Sequence, residues 1–396
     1  MNSTLDISQN RMLLWLMAIA CGLCAGANYY CQPLIYSIQQ SFNVPLSQVA
    51  LTVTFAQISY ALGLLFIVPM GDIVNKTKFI PLLMIGAAIG LGICAFAVNL
   101  PMLWIGTIIA GLFSVAAQVL IPLVTLSVHP DKTGEAVGFL MSGLLVGILL
   151  STSLSGLFSN LWHWNVIYIF SSVLMLILAV LLKHHLPKVS IRHISYGEVF
   201  ASMGQLLLKE RRLVFRSIIG GCVFAAMSIL FSTIAMLLTA PPFSLPDVWV
   251  GALTLVGVFG ALSAQWTGKL ADRGYNPLLT WTGCGILTFS WLLLYWGGHS
   301  LISYTFGYAL ISLGLAIVHS CNQNIIFKLN AEARSRINSI YMTMYFIGGA
   351  CGSALGVYAW HHGGWPAACM AGAALVLVAS AFVVVDQRYR AAQAAV

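Results

Sequence analysis

The sequence predicts an all-α membrane protein, with twelve transmembrane helices arranged as two pseudo-symmetric six-helix bundles. Three observations lead there. Of 396 residues, 60% are hydrophobic and only 7% are charged, whereas a soluble chain carries roughly 25% charged residues. The apolar residues fall in runs that approach or exceed the roughly 20 needed to cross a bilayer. Single residues also recur at one offset between the two halves. Too little charge remains to cover a water-facing surface, which excludes a soluble enzyme, a nucleic-acid binder and a disordered chain. No run alternates apolar and polar positions as a barrel strand does. Helices remain as the way to satisfy every backbone group in lipid.

Pro, Gly, Asn and charged residues punctuate the chain into spans at 12–40, 47–70, 78–98, 101–128, 136–160, 165–186, 213–240, 247–269, 277–297, 300–327, 337–361 and 365–386. Residues 1–10 are polar, and the apolar run after Arg11 lacks a small-residue cleavage site. That run therefore reads as span one rather than a removed signal peptide. With the N-terminus inside, all 18 Lys and Arg residues fall on one side of the membrane. The positive-inside rule then puts both termini in the cytoplasm. Trp15, Trp104, Trp162, Trp164, Trp249, Trp360 and Trp365 stand near span ends, as interfacial anchors do.

The longest hydrophilic stretch follows span six. It divides the chain into an N-terminal bundle (1–186), a cytoplasmic linker (187–212) and a C-terminal bundle (213–396). Two readings of the linker stand: a basic amphipathic helix on the membrane surface, or a solvated tether. The repeat supports the division. Asp72 and Asp272 are 200 residues apart, and the pairs Trp164–Trp365 and Gly147–Gly348 are each 201 apart. Parallel six-span halves with a site between them near the midplane are a common transporter plan.

The loop after span eight reads Gly268-Lys269-Leu270-Ala271-Asp272-Arg273. It resembles the loop signature of the major facilitator superfamily, at the place of that signature's second copy. The copy after span two keeps Asp72, Lys76 and Lys78, but Val68 and Asn75 replace its glycines. More locally, Asn28-Tyr29-Tyr30-Cys31-Gln32-Pro33-Leu34 is similar to span one of bacterial exporters in the drug–proton antiporter branch. So is 331–338 with Tyr341-Met342 and Gly348-Gly349-Ala350. The resemblance implies a conformational latch at Asp72, Lys76, Lys78, Asp272 and Arg273; loop charges that only fix topology are the other reading. An acidic residue at a span end can face the positive terminus of a neighbouring helix, a contact of about 0.3–1 kcal/mol when exposed. Two features of the branch are missing. Thr107 stands where an arginine is usual in span four, and span five keeps Gly143, Gly147 and Gly156 without their proline.

Buried ionisable residues point to coupling sites in membranes, and this layout places no Asp, Glu, Lys or Arg deep in any span. Asp247 sits at the outer mouth of span eight. His319 lies about 27 Å along a span-ten helix of about 39 Å. It reads either as a proton-coupling group or as a histidine bonded within the Ser320-Asn322-Gln323-Asn324 cluster. One repeat length before it stands Gln118, followed by Pro122. The remaining polar and aromatic candidates for a substrate site are Asn28, Tyr29, Gln32, Gln57, Tyr60, Gln323, Tyr341 and Tyr345. Their placement along a central path is implied by the resemblance; helix packing or the lipid interface is the alternative for each. Met141, Met227, Met342 and Met344 read as an adaptable wall or as core filling.

The nine cysteines all lie in apolar stretches, and Cys21-x-x-Cys24 has no βαβ context to make it a redox motif. Adjacent histidines at 184–185 and 361–362 diverge on a helix and chelate poorly. No metal site, cofactor site, nucleotide loop or nucleophile motif occurs, so the expectation is a non-enzyme needing no cofactor. It would be a monomeric transporter in a bacterial inner membrane, exporting a small amphiphilic or drug-like compound by alternating access with protons as partner ion. A metabolite importer or uncoupled facilitator is the second reading.

Overall fold

A computed structural model describes residues 10–128, 133–187, 195–330 and 333–394. The side chains of some residues within these ranges, Asp72 and Asp272 among them, are not described. Among the described residues nine helices are long and apolar enough to cross a bilayer. The last of them, Arg334–Ala394, is two spans broken at Gly363 and Gly364. The bent pair Arg11–Gly26 with Cys31–Phe42 and the broken helix from Asp247 to Leu270 bring the arrangement to twelve, in two six-helix bundles. Side chains at the helix starts satisfy backbone N–H groups that have no partner inside the helix. Asn10 accepts from the Leu13 amide at 3.1 Å, Asn75 from Thr77 at 3.0 Å and Asn99 from Met102 at 2.9 Å.

Three spans are interrupted near their middles. Span one runs as Arg11–Gly26 and Cys31–Phe42, bent by 48°. Span four breaks between Leu100–Phe113 and Ala116–Ser127. Pro122 in its second half has no N–H to offer the Gln118 carbonyl. Span eight is built from Asp247–Thr254, a 3₁₀ turn at Leu255–Gly257, and Val258–Leu270. Spans eleven and twelve run on as Arg334–Ala394, broken at Gly363 and Gly364, whose φ of 61° favours glycine.

The internal repeat appears as matched helix crossings. A Cβ on Gly147 of span five would lie 2.2 Å from the Gly22 Cα of span one. A Cβ on Gly348 of span eleven would lie 2.2 Å from the Gly221 oxygen of span seven. Only glycine permits such close backbones, the small-residue packing by which membrane helices associate. Trp164 and Trp365 are also matched, but as buried pins rather than interfacial anchors. Trp164 donates to Ser41 Oγ at 2.9 Å and Trp365 to the Leu294 carbonyl at 2.7 Å.

The linker forms a helix, Tyr196–Lys209, started by a reciprocal capping box between Ser195 and Glu198. It packs at the end of the molecule where span one begins, near Arg11, and where span eleven begins, near Arg336. Tyr196 donates to the Phe66 carbonyl of span two at 2.6 Å, and Arg336 at the start of span eleven donates to Ser202. Residues 188–194 of the linker lie outside the described residues.

The absence of charge inside the spans does not hold. Arg216, one and a half turns into span seven (Arg211–Leu238), is 2% exposed, and Asp386 of span twelve is 1% exposed. They form an ion pair, to which Arg212 adds a bond at 3.1 Å from its Nε. The sequence layout reads both as cytoplasmic, Arg216 because it closes a basic block and Asp386 because it ends an apolar run. Helical continuation past both residues carries them inside the bundle.

Candidate functional site

A line of aromatic rings links the two halves of the chain. Tyr29 of span one meets Phe231 of span seven edge-on at 5.5 Å, and Tyr60 of span two meets Phe346 of span eleven at 4.4 Å. Both contacts join one bundle to the other. Phe224 connects them, stacked on Tyr345 at 4.0 Å and within 5.2 Å of Phe346. His319 closes the line, with its ring 4.9 Å from Tyr345 and its Nδ1 3.0 Å from the Tyr341 hydroxyl. The structure thus brings Tyr29, Tyr60, His319, Tyr341 and Tyr345 together. His319 bonds across to span eleven instead of within its own polar cluster. Asn322 of that cluster donates to the same Tyr341 hydroxyl.

Two amides stand close in the chain to residues of this line. Gln57 is three residues before Tyr60 on one helix and shares a face with it, while Gln32 lies just past the break in span one, three residues after Tyr29. Gln32 is 1% exposed and Gln57 is fully buried. Neither the oxygen nor the nitrogen of either amide has a hydrogen-bond partner among the described residues. Leaving a buried polar group unpaired costs about 1–3 kcal/mol. Asn28 is divided between roles. Its Nδ2 reaches the Cys24 and Ala25 carbonyls at 3.5 Å, while its Oδ1 is unpartnered among the described residues. It lines a void of about 10 Å³ whose walls all come from the N-terminal bundle. Gln118 and Gln323 are half-buried.

The bundles are joined at the end opposite the termini. Thr54 donates to Ser353 at 2.9 Å, Thr152 and Thr254 share a bond at 2.5 Å, and His361 meets Ser47 at 2.8 Å. Asp247 accepts from Ser159 at 2.8 Å and also from Ser37. A Cβ on Gly156 would stand 2.4 Å from the Asp247 carbonyl, so spans five and eight touch backbone to backbone. Of the expected latch, Lys76 is buried, Lys78 and Arg273 are exposed, and the side chains of Asp72 and Asp272 lie outside the described residues.

Sequence reasoning misses Phe224, Phe231 and Phe346. A phenylalanine in an apolar run carries no signal that separates a site wall from core filling. Their spacing gives one hint, because Phe224 and Phe231 are seven apart and share one face of span seven.

Comparison with known proteins agrees with this architecture. The family model described as Major Facilitator Superfamily matches residues 17–333. The chain is 41% identical over 367 residues to the "Uncharacterized transporter YgaY" of Escherichia coli O157:H7, covering 92% of this chain and 93% of that one. It superposes on a mutant of the nucleoside transporter NupG with a TM-score of 0.75 at 13% identity, covering 94% of this chain and 99% of that one. A bacterial homologue of the human lysosomal transporter Spinster, in an inward-facing and occupied conformation, gives 0.74 at 14% identity, with coverages of 96% and 97%. The chain belongs to the major facilitator superfamily and is a multi-pass membrane transporter of that type, not an enzyme.

Proposed function

We propose that the protein exports a small aromatic or amphiphilic compound, neutral, zwitterionic or weakly charged, by alternating access, driven by protons. The carrying observation is the pair of buried amides, Gln32 and Gln57, without partners among the described residues and each three residues along the chain from a tyrosine, Tyr29 or Tyr60, whose ring meets the other bundle. Such amides are matched when a ligand with donors and acceptors on a flat ring system occupies the space between the bundles. Among the described residues, no Asp, Glu, Lys or Arg side chain takes part in the aromatic line, which favours a neutral, zwitterionic or weakly charged solute.

The halves 1–186 and 213–396 rock about this line, with 187–212 as their tether. The hydroxyl contacts at the end opposite the termini form the outer seal, and Asp72, Lys76, Lys78, Asp272 and Arg273 act as the latch on the other side. One-sided placement of the loop Lys and Arg residues, Arg216 being drawn inside span seven, supports cytoplasmic termini in a bacterial inner membrane. Outward direction is supported by the likeness of 28–34 and 331–338 to exporters. His319 is the proton-coupling group, since its imidazole is the basic side chain in the aromatic line and bonds to Tyr341. The transporter works as a monomer.

One observation favours a second reading, an importer or uncoupled facilitator. Thr107, in place of the branch's arginine, spends its hydroxyl on the Leu103 carbonyl at 2.8 Å.

The test is dye flux in proteoliposomes under an imposed pH gradient, with a fluorescent bis-benzimidazole as probe. Export predicts gradient-driven transport that Gln57→Leu and His319→Ala each reduce. Flux that ignores the gradient removes the proton-driven reading, and undiminished flux in both variants removes the site.

A further inference from the structure

A chain of hydrogen bonds runs from the buried ion pair to the aromatic line. Asp386 holds the Arg216 Nε at 3.1 Å, and Arg216 Nη1 points the other way, to Asn322 Oδ1 at 3.3 Å. Asn322 Nδ2 then faces the Tyr341 hydroxyl at 3.5 Å, and that hydroxyl stands 3.0 Å from His319 Nδ1. Gly220 makes room for this arrangement, because a Cβ there would lie 2.7 Å from the Tyr341 oxygen.

The donors in this chain have one consistent direction. A guanidinium has only N–H groups to offer, so the atom of Asn322 that meets Arg216 is the amide oxygen. The Asn322 nitrogen is thereby turned to Tyr341, whose oxygen accepts. The remaining Tyr341 hydrogen has His319 Nδ1 as its acceptor. Were Nδ1 protonated instead, two donors would converge on the phenol oxygen. A fully buried hydroxyl would then lose its acceptor, with the penalty of an unsatisfied buried donor. His319 makes no other hydrogen bond among the described residues. With Nδ1 occupied, the ring's proton belongs on Nε2.

We propose that Arg216, anchored by Asp386, is a positioning residue that fixes His319 as its Nε2–H tautomer through Asn322 and Tyr341. The site then offers a hydrogen-bond donor at Nε2 to an acceptor on the transported compound. The donor role rests on the proposed site; the tautomer itself does not. Taking up a second proton at Nδ1 would require the Tyr341 hydroxyl to turn away, so loading His319 with a proton reverses the last link of the chain and leaves the Tyr341 hydrogen without its acceptor.

The test is ¹⁵N NMR of histidine-labelled full-length protein, with the His319 signals assigned by difference against His319→Gln. The wild type is expected to show a protonated Nε2 and a hydrogen-bonded, bare Nδ1. Asn322→Leu, which leaves the ion pair in place, is expected to lower the tautomer ratio roughly tenfold or more. Should that variant not fold, Tyr341→Phe supplies the same reading. A wild-type Nδ1–H tautomer, or an unchanged ratio in the variant, overturns the proposal.

The donor role is tested by KM for the bis-benzimidazole dye. Gln places an amide nitrogen near the Nε2 position and Asn near Nδ1. His319→Gln should therefore retain KM better than His319→Asn, and equal losses would overturn the donor role. If the tautomer shifts as expected while transport ignores His319, the hydrogen-bond chain stands and the site assignment falls.

Discussion

Gly348 of span eleven packs on the backbone of Gly221 in span seven so closely that a Cβ on Gly348 would stand 2.2 Å from the Gly221 oxygen. Any side chain there must push the two helices apart. Gly348→Leu is expected to destabilise the protein by about 1–3 kcal/mol, the usual range for overpacking. Gly285→Leu is the control, since open space surrounds that position. Thermal unfolding in detergent compares the two; equal midpoints would mean that the crossing is not tight.

The Arg216–Asp386 pair predicts an asymmetric mutant series. Asp386→Ala leaves Arg216 buried with no countercharge, which costs about 3–5 kcal/mol. Arg216→Met combined with Asp386→Ala removes both charges and should recover much of that loss, with Arg212 free to turn toward water at 21% exposure. High salt should leave the series unchanged, because buried charges are poorly screened. If the double variant is no more stable than Asp386→Ala, the unpaired charge is not the cause.

These two cases show what a sequence makes visible. Spans are legible because lipid admits few charges, so most Lys and Arg residues mark a boundary. Gly147 and Gly348 are legible through their shared offset. Their partners Gly22 and Gly221 are not, being 199 apart. Tyr29, Tyr60, Tyr341, Tyr345 and His319 stand out as polar rings in apolar runs, whereas Phe224, Phe231 and Phe346 match their surroundings. Arg216 and Asp386 escape notice because they lie within a few turns of helix ends, where charges ordinarily reach water. Only the packing of spans seven and twelve turns them inward.

Gln57 carries a prediction in which stability and transport move in opposite directions. Its amide is fully buried, with both polar atoms unpaired among the described residues. Gln57→Leu is close in size and removes the unpaired groups, so the ligand-free protein should gain about 1–3 kcal/mol. Transport of the bis-benzimidazole dye should fall in the same variant. A residue kept for packing alone would not show that exchange, so a variant that is both less stable and fully active would exclude Gln57 from the site.

The seal between the bundles predicts a reversible lock. Thr54 Oγ1 and Ser353 Oγ are 2.9 Å apart on spans two and eleven, which places their Cβ atoms near the separation a disulfide requires, about 3.5–4.5 Å. The double variant Thr54→Cys, Ser353→Cys should cross-link under mild oxidation, with each single variant as control. If the halves rock apart at this end during each cycle, the cross-link must stop transport, because one covalent bond holds the two bundles in the state seen here. Reductant should then restore flux in the same vesicles. The contact lies one turn from Gln57 on span two, so the bond also tests whether the path to the far side passes this seal. Cross-linked protein that still moves dye at the rate of the reduced form would show that the bundles need not separate there, and rocking about the aromatic line would be excluded.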